Sequence, residues 1–256
     1  MVRELAVMAL AVGLLIGALV VFEAKTVLAA TSTSSTLLSV DAANLAPEDK
    51  LAKAKEDLTK ALDLSLKKVD SLKGRLNELN FPELSREAEL KNEALRDLDT
   101  YADYYNKAKE NLEKTDSLEG VKELAKDVKE YRDATYTPGV EKIVRFILVF
   151  YNEEVLGVAN DRLGKIEADV KKLDKLGVIK ESDFRGKLDE AGNLLGEAAK
   201  LQGEAKKIIL SATSTDAVKE KKMSARDMIE KSLNNVKTVY DIFLELNQSV
   251  KKALGL

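Results

Sequence analysis

One amphipathic stretch near the middle of the chain, residues 138–176, constrains the fold most. Its apolar residues recur at intervals built from three and four: Val140, Val144, Ile147, Tyr151, Val155, Val158, Ile166, Val170 and Leu173. This spacing predicts one face of an α-helix, and at a rise of ~1.5 Å per residue the helix would be roughly 58 Å long. Thr137 and Pro138 predict its first turn, and Gly177 predicts its left-handed stop. A helix of this length favours an elongated, all-α protein.

The rest of the chain carries the same helical spacing, and no stretch alternates with the period of two that a strand requires. The other predicted helices cover residues 47–79, 83–114, 118–131, 182–208 and 218–254. The connections between them are short, which makes consecutive helices antiparallel. We therefore predict six helices arranged as two three-helix bundles in tandem, over residues 47–136 and 137–256. Residues 134–137 connect the third and fourth helices, unless these two stack into one bent rod.

The N-terminal residues predict export from the cytoplasm. Leu5–Phe22 is an uncharged run that is long enough to span a bilayer core of ~30 Å, whereas the apolar part of a signal peptide usually has about 7–15 residues. Ala29 nevertheless offers a signal-peptidase site, so residues 1–29 are either a signal peptide or a membrane anchor. Arg3 favours export of the remaining chain in both cases. Residues 30–46 have the Ser/Thr-rich composition of a linker.

The composition excludes several kinds of chemistry. The chain has no Cys and no His, so disulfides, thiol nucleophiles, cysteine-based metal sites and an imidazole base are all excluded. The 41 basic and 44 acidic residues are interspersed and give a net charge of −3. Such mixing is typical of solvated helix faces, and we expect no nucleic-acid partner. We predict no catalytic residue, no metal ligand and no cofactor.

The densest apolar run of the body, residues 143–151, has two interpretations. In the first, it is a helix segment buried between the two bundles. Alternatively, Arg145, Phe146, Val149 and Phe150 form an exposed patch opposite the main stripe, for a partner or for self-association. Aromatic and Arg side chains dominate the energetics of interfaces, so this patch is the predicted interaction surface.

Two further groups of residues invite hypotheses. Gly192, Gly196 and Gly203 lie along one line of the fifth helix, which predicts a neighbouring helix at close approach and a destabilising effect of Gly196→Leu. Three tyrosines lie together in the second predicted helix and two follow later in the chain: Tyr101, Tyr104 and Tyr105, then Tyr131 and Tyr136. They form either a platform for a sugar or peptide or a packed boundary between core and water.

From about residue 50 onward, the organisation resembles a group of uncharacterised, predicted-secreted helical proteins of ultrasmall candidate-phylum bacteria. The resemblance is carried by LAKDVKEYRD at residues 124–133, YTPGVEKIV, ANDRLGKIEADVKKLDKLG and SATSTDAVKEKKMSARD. It implies an extracytoplasmic helical protein with no assigned activity and transfers no functional residue.

These patterns together favour a non-enzymatic helical scaffold or interaction protein of the cell envelope, either membrane-anchored or secreted. Its expected partners are a protein or a second copy, and the membrane through residues 5–22 if that segment is retained. The alternative is a carrier or chaperone-like module with a groove near Phe146 and Phe150 for an apolar or peptide ligand.

Overall fold

The computed structural model describes residues 46–211 and 223–254. The predicted export segment 5–22, the processing site at Ala29 and nearly all of the linker 30–46 lie outside the described residues. Over the described ranges the chain is all-α and contains no strand.

The described helices follow one another in a simple order. The α-helical segments are α1 (Pro47–Glu78), α2 (Arg86–Lys114), α3 (Leu118–Tyr131), α4 (Thr137–Lys175), α5 (Ser182–Ser211) and α6 (Ala225–Ala253). A π-helical turn, Arg132–Tyr136, joins α3 to α4 without interruption. The described part of the chain therefore has five continuous helices. The prediction of six separate helices is wrong, because the third and fourth form one helix.

Local sequence signals set most of the helix ends. Pro47 begins α1 at a position where its missing N–H is not needed. The hydroxyls of Ser85 and Ser117 accept hydrogen bonds from the third N–H of α2 and α3, respectively. Ser224 and Asp227 form a reciprocal capping box at the start of α6. Gly177 follows α4 with a φ of 69°, as predicted for a left-handed stop.

The chain divides into two compact units between Val144 and Arg145, inside α4. This point lies two turns beyond the predicted limit at residues 136 and 137. We call the parts the N-terminal unit, which contains α1, α2, α3, the π turn and the first residues of α4, and the C-terminal unit, which contains the rest of α4 with α5 and α6.

In the N-terminal unit, α1 and α2 run antiparallel. The Nζ atom of Lys109 lies 2.6 Å from Asp63, and that of Lys73 lies 2.7 Å from Asp99, so partner numbers fall on α2 as they rise on α1. Apolar side chains from α1, α2 and α3 fill the core; they include Leu62, Val69, Leu76, Leu98, Leu112 and Val121. Their burial removes apolar surface from water, which stabilises the fold by roughly 25 cal/mol for each Å² buried.

In the C-terminal unit, α5 and α6 also run antiparallel. Lys187 pairs with Glu245 at 2.6 Å, and Asn235 donates to Glu197 at 3.2 Å. The core is mostly aliphatic and draws on all three helices: Leu156, Ala159, Leu163, Val170, Leu188, Leu195, Val236, Val239 and Leu246 are among its buried members.

Candidate functional site: a tyrosine cluster at a π-helical turn

The junction between α3 and α4 is a π-helical turn rather than a break. Tyr131 before it and Thr137 after it both have right-handed helical dihedrals. The N–H of Thr137 donates to the carbonyl of Arg132, five residues back, which is the hydrogen bond of a π-helix. The predicted connection at residues 134–137 and the predicted capping role of Thr137 are therefore wrong.

Pro138 accounts for part of this irregularity. In a regular α-helix its ring would collide with the carbonyl of the residue four positions earlier, Ala134, and it has no N–H to donate. Ala134 lies inside the π turn, where the backbone is already widened by one residue. The proline is thus placed directly after the part of the helix that can best tolerate it.

The spacing of the aromatic residues is the second reason for the π turn. Along α3 the inward-facing residues recur every three or four positions, but Tyr131 and Tyr136 are five apart, and residues 133–135 between them are exposed. A π turn has more residues than an α turn, so it brings residues i and i+5 to the same face. The apolar face of α3 therefore continues into α4 through Tyr136 and Val140, both of which are buried.

Five tyrosines from α2 and from the ends of the π turn meet at this point. The rings of Tyr104 and Tyr131 stack with centroids 3.5 Å apart and planes inclined by 12°. Tyr136 lies edge-to-face against Tyr105 at 5.2 Å and against Tyr101 at 5.4 Å. Edge-to-face contacts of this kind stabilise by about 0.5–1.5 kcal/mol beyond the area that they bury.

The cluster faces the core more than the solvent. Tyr101, Tyr105 and Tyr136 are buried, whereas Tyr104 and Tyr131 are half-buried at the edge. The hydroxyl of Tyr104 donates to the carbonyl of Asp127 on α3, 3.1 Å away. These positions fit the packing interpretation of the tyrosines better than a ligand platform.

Burial keeps the phenols neutral. Removal from water disfavours the phenolate and raises the pKa of Tyr105 and of Tyr136 well above the usual value near 10. Burial and then the nearby Asp97 carboxylate raise the pKa of Tyr101. A phenol with a raised pKa stays protonated at neutral pH, so these residues present aromatic surface and neutral hydroxyls.

Gly139 is fitted to this cluster. A Cβ atom built on Gly139 would overlap the hydroxyl of Tyr101 and lie 2.8 Å from its ring atom Cζ. Glycine one residue after Pro138 leaves the space that the tyrosine from α2 occupies beside the backbone of α4, and any other residue there would have to displace that ring. This role of Gly139 was not predicted from the sequence. The only local signal was a glycine in the first turn of a long helix.

The C-terminal unit contains a different special feature, which we call the polar layer: the buried side chains of Asn152, Gln202 and Ser232. Asn152 Nδ2 donates to Ser232 Oγ at 2.9 Å, and Ser232 Oγ donates to the carbonyl of Ala198 at 2.9 Å. Gln202 Nε2 donates to the carbonyl of Val149 at 2.7 Å. One polar residue from each of α4, α5 and α6 therefore ties the helices together.

The polar layer was not predicted from the sequence either, although the sequence contains a signal for it. The buried face of α5 includes Leu195, Ala198 and Ala205. Continuing their spacing of three and four residues places Gln202 on the same face. A polar residue at a core position of a helix must find a hydrogen-bond partner there, because leaving it unpaired costs about 1–3 kcal/mol.

The predicted exposed patch is wrong for three of its four residues. Phe146, Val149 and Phe150 are buried, and only Arg145 is exposed. These three positions belong to the buried face of α4, which continues along the helix through Leu156 and Leu163. The ammonium group of Lys206 from α5 lies 4.9 Å from the ring centroid of Phe150. The alternative interpretation, a buried segment, describes these side chains.

The close helix approach predicted at three glycines of α5 is also wrong. Around Gly196 and Gly203 a Cβ atom would meet no other atom within 4 Å, and at Gly192 it would make an ordinary 3.8 Å contact with Leu163. Gly196 is exposed, whereas Gly192 and Gly203 are half-buried. A glycine on an open helix face only lowers helix propensity, by about 1 kcal/mol relative to alanine.

Comparisons with known proteins return no relative: no family model, no curated protein and no solved structure matches this chain. Within residues 46–211 and 223–254, no group of three acidic side chains is placed to hold a metal ion. No helix in those same ranges combines the length and apolar character needed to cross a bilayer.

Proposed function

We propose that this protein is a non-enzymatic, extracytoplasmic helical scaffold or interaction protein of the cell envelope. The observation that carries the proposal is the use made of its unusual side chains. The tyrosines around the π turn pack on one another, and the residues of the polar layer bond to one another or to helix carbonyls. Groups that serve catalysis in other proteins here join helices.

The architecture that we propose for this role is a pair of three-helix bundles. The antiparallel ion pairs between α1 and α2 and between α5 and α6 support it. So does the placement of α4 beside α6, with Arg162 lying 5.4 Å from the ring centroid of Tyr240. Bundles of this kind present long, solvated helix faces on which a partner or a second copy can bind.

The sequence of the N-terminal segment supports the proposed location. Leu5–Phe22 is uncharged and follows Arg3, which favours an exported body. We propose that the body is either held at the membrane by this segment or released after cleavage at Ala29. The interspersed charges favour protein partners over nucleic acid. The resemblance to predicted-secreted helical proteins belongs to the same proposal.

The alternative function, a carrier for an apolar or peptide ligand, was predicted from a groove near Phe146 and Phe150. Both rings are buried, and Lys206 and Glu153, 2.9 Å apart, form an ion pair beside Phe150. A depression of about 540 Å³ beside Lys126 and another of about 320 Å³ beside Phe81 both lie away from these rings. No observation on the described residues favours the carrier.

Two measurements on the native protein test the proposal. Cell fractionation, with the intact mass of the recovered chain, should place it in the membrane or the extracytoplasmic fraction and show whether it begins at Met1 or after Ala29. Recovery in the cytoplasm with an intact N-terminus would contradict the proposal. Titration with a fatty acid or a hydrophobic dye should show no saturable binding, and one-to-one binding would favour the carrier instead.

A further inference from the structure

The loop between α1 and α2 ends in a fully exposed leucine. Leu84 is 98% exposed, more than any other large apolar side chain among the described residues. It directly precedes Ser85, the cap of α2, where an apolar residue normally packs on the fourth residue of the following helix. That residue is Glu89, whose carboxylate instead pairs with Arg86 at 2.9 Å. The helix therefore offers Leu84 no apolar partner.

Glu83, the residue before this leucine, lines a depression of about 320 Å³. Leu79, Phe81 and Ala88 contribute apolar surface to it, and Glu83 and Lys91 contribute one charge of each sign. Lys91 is held in place because its Nζ atom donates to the carbonyl of Leu79 at 2.7 Å. An apolar projection and a partly apolar depression are thus neighbours on one loop.

We propose that this loop is a self-association surface, in which Leu84 of each copy enters the depression of a second copy. This inference rests on the proposed function as an interaction protein, and the partner that it names is a second copy of this chain. A two-fold contact brings the same surface of both copies together, so residue i meets residue j and residue j meets residue i. A projection beside a depression satisfies that condition with one loop.

The charges of the loop complement one another in the same arrangement. In the proposed two-fold contact, Glu83 of each copy is placed against Lys91 of the other, because both residues line the depression that Leu84 enters. This arrangement gives two ion pairs between the copies. Two copies related in this way have no like charges opposed at these positions, so the charge pattern favours a second copy of this chain. The surface available on one loop is small, and small interfaces belong to the weak, transient class.

Sedimentation velocity of the full chain over a range of concentrations tests the inference. Leu84→Asp should weaken association by about tenfold or more, since a buried leucine would be replaced by a charge. Leu64→Asp is the matched control, because Leu64 is 67% exposed on α1, away from the depression. The N-terminal segment is the same in both variants. Equal association of the two variants would overturn the inference.

Charge reversal gives a second, independent test. Glu83→Lys alone and Lys91→Glu alone should each weaken association, because each opposes like charges twice. An equimolar mixture of the two variants should recover it, since every pair between unlike copies is then of opposite charge. Circular dichroism melts check that Lys91→Glu still folds without its contact to Leu79. A mixture that associates no better than either variant alone would contradict the two-fold contact.

These results are separable from those that test the proposed function. An exported chain whose Leu84→Asp and Leu64→Asp variants behave alike would remove only the loop as a contact. A cytoplasmic chain that associates through Leu84 would remove only the proposed location.

Discussion

The two units of this protein fix their helices by different means. The N-terminal unit uses aromatic shape: Tyr101, Tyr105 and Tyr136 interlock around a π turn, and Gly139 leaves room for one of them. The C-terminal unit uses hydrogen bonds, through the polar layer inside an aliphatic core. Aromatic packing tolerates an irregular helix, whereas a polar layer requires that three regular helices keep their register. The difference gives each unit its own points of weakness.

The largest difference between the units is expected at alkaline pH. Burial raises the pKa of Tyr105 and Tyr136 above their unfolded values, so the folded protein binds these protons more tightly than the unfolded chain. Their stabilising contribution is complete below about pH 10 and is lost as the pH rises through the folded pKa values. Amide hydrogen exchange should therefore show the N-terminal unit opening first as the pH is raised.

Tyr240 provides the comparison within the C-terminal unit. Burial raises its pKa too, but the positive charge of Arg162 opposes that rise. Loss of protection in the C-terminal unit before the N-terminal unit would contradict the account. Tyr136→Phe should move the alkaline transition of the N-terminal unit to higher pH.

The next effect concerns the polar layer. Ser232→Ala removes the acceptor for the buried amide of Asn152 and should lower the free energy of unfolding by about 1–3 kcal/mol. Adding Asn152→Leu, which removes the stranded amide, should recover most of that loss. Urea denaturation of both variants measures the difference. Equal stability of Ser232→Ala and the natural chain would show that this hydrogen bond contributes little.

The smallest effect is expected from one hydroxyl in the tyrosine cluster. The Tyr136 hydroxyl is buried and makes no hydrogen bond to the described residues. Tyr136→Phe should therefore leave the free energy of unfolding at neutral pH unchanged or raise it by up to about 1 kcal/mol. The near-ultraviolet circular dichroism of tyrosine follows this unit well, because the chain has no Trp and most of its 7 tyrosines lie there. A loss above 1 kcal/mol would mean that this hydroxyl has a partner.

Sequence reasoning succeeded where the signal was local. Pro47 and Gly177 mark helix ends through their own backbone preferences, Ser117 marks one through its hydroxyl, and the structure has those ends. The prediction failed at Pro138, because a proline marks the start of a helix only when the preceding turn cannot accommodate its ring within a continuous helix. Here the preceding turn is a π turn, and its last residue, Tyr136, packs on tyrosines of α2 that the local sequence does not reveal.

The candidate site was harder to predict from the sequence, because it depends on contacts between helices. Gly139 and Gly196 are both helical glycines in sequence, yet one meets the hydroxyl of Tyr101 and the other meets open space. Only the position of a neighbouring helix separates the two cases. Exposure of Phe146 was likewise mispredicted, because periodicity identifies an apolar face without identifying which helix covers it.

The two glycines also provide the most direct test of the central claim, that the irregular residues of this chain serve the packing of its helices. Gly196→Ala should raise the free energy of unfolding by about 1 kcal/mol, because alanine favours the helix and meets no neighbour. Gly139→Ala should instead lower it by up to about 2 kcal/mol, because overpacking against Tyr101 outweighs the same gain. Combining Gly139→Ala with Tyr101→Phe should recover part of the loss. Opposite signs for the two alanine variants in urea denaturation would support the account, and equal stabilisation by both would contradict it.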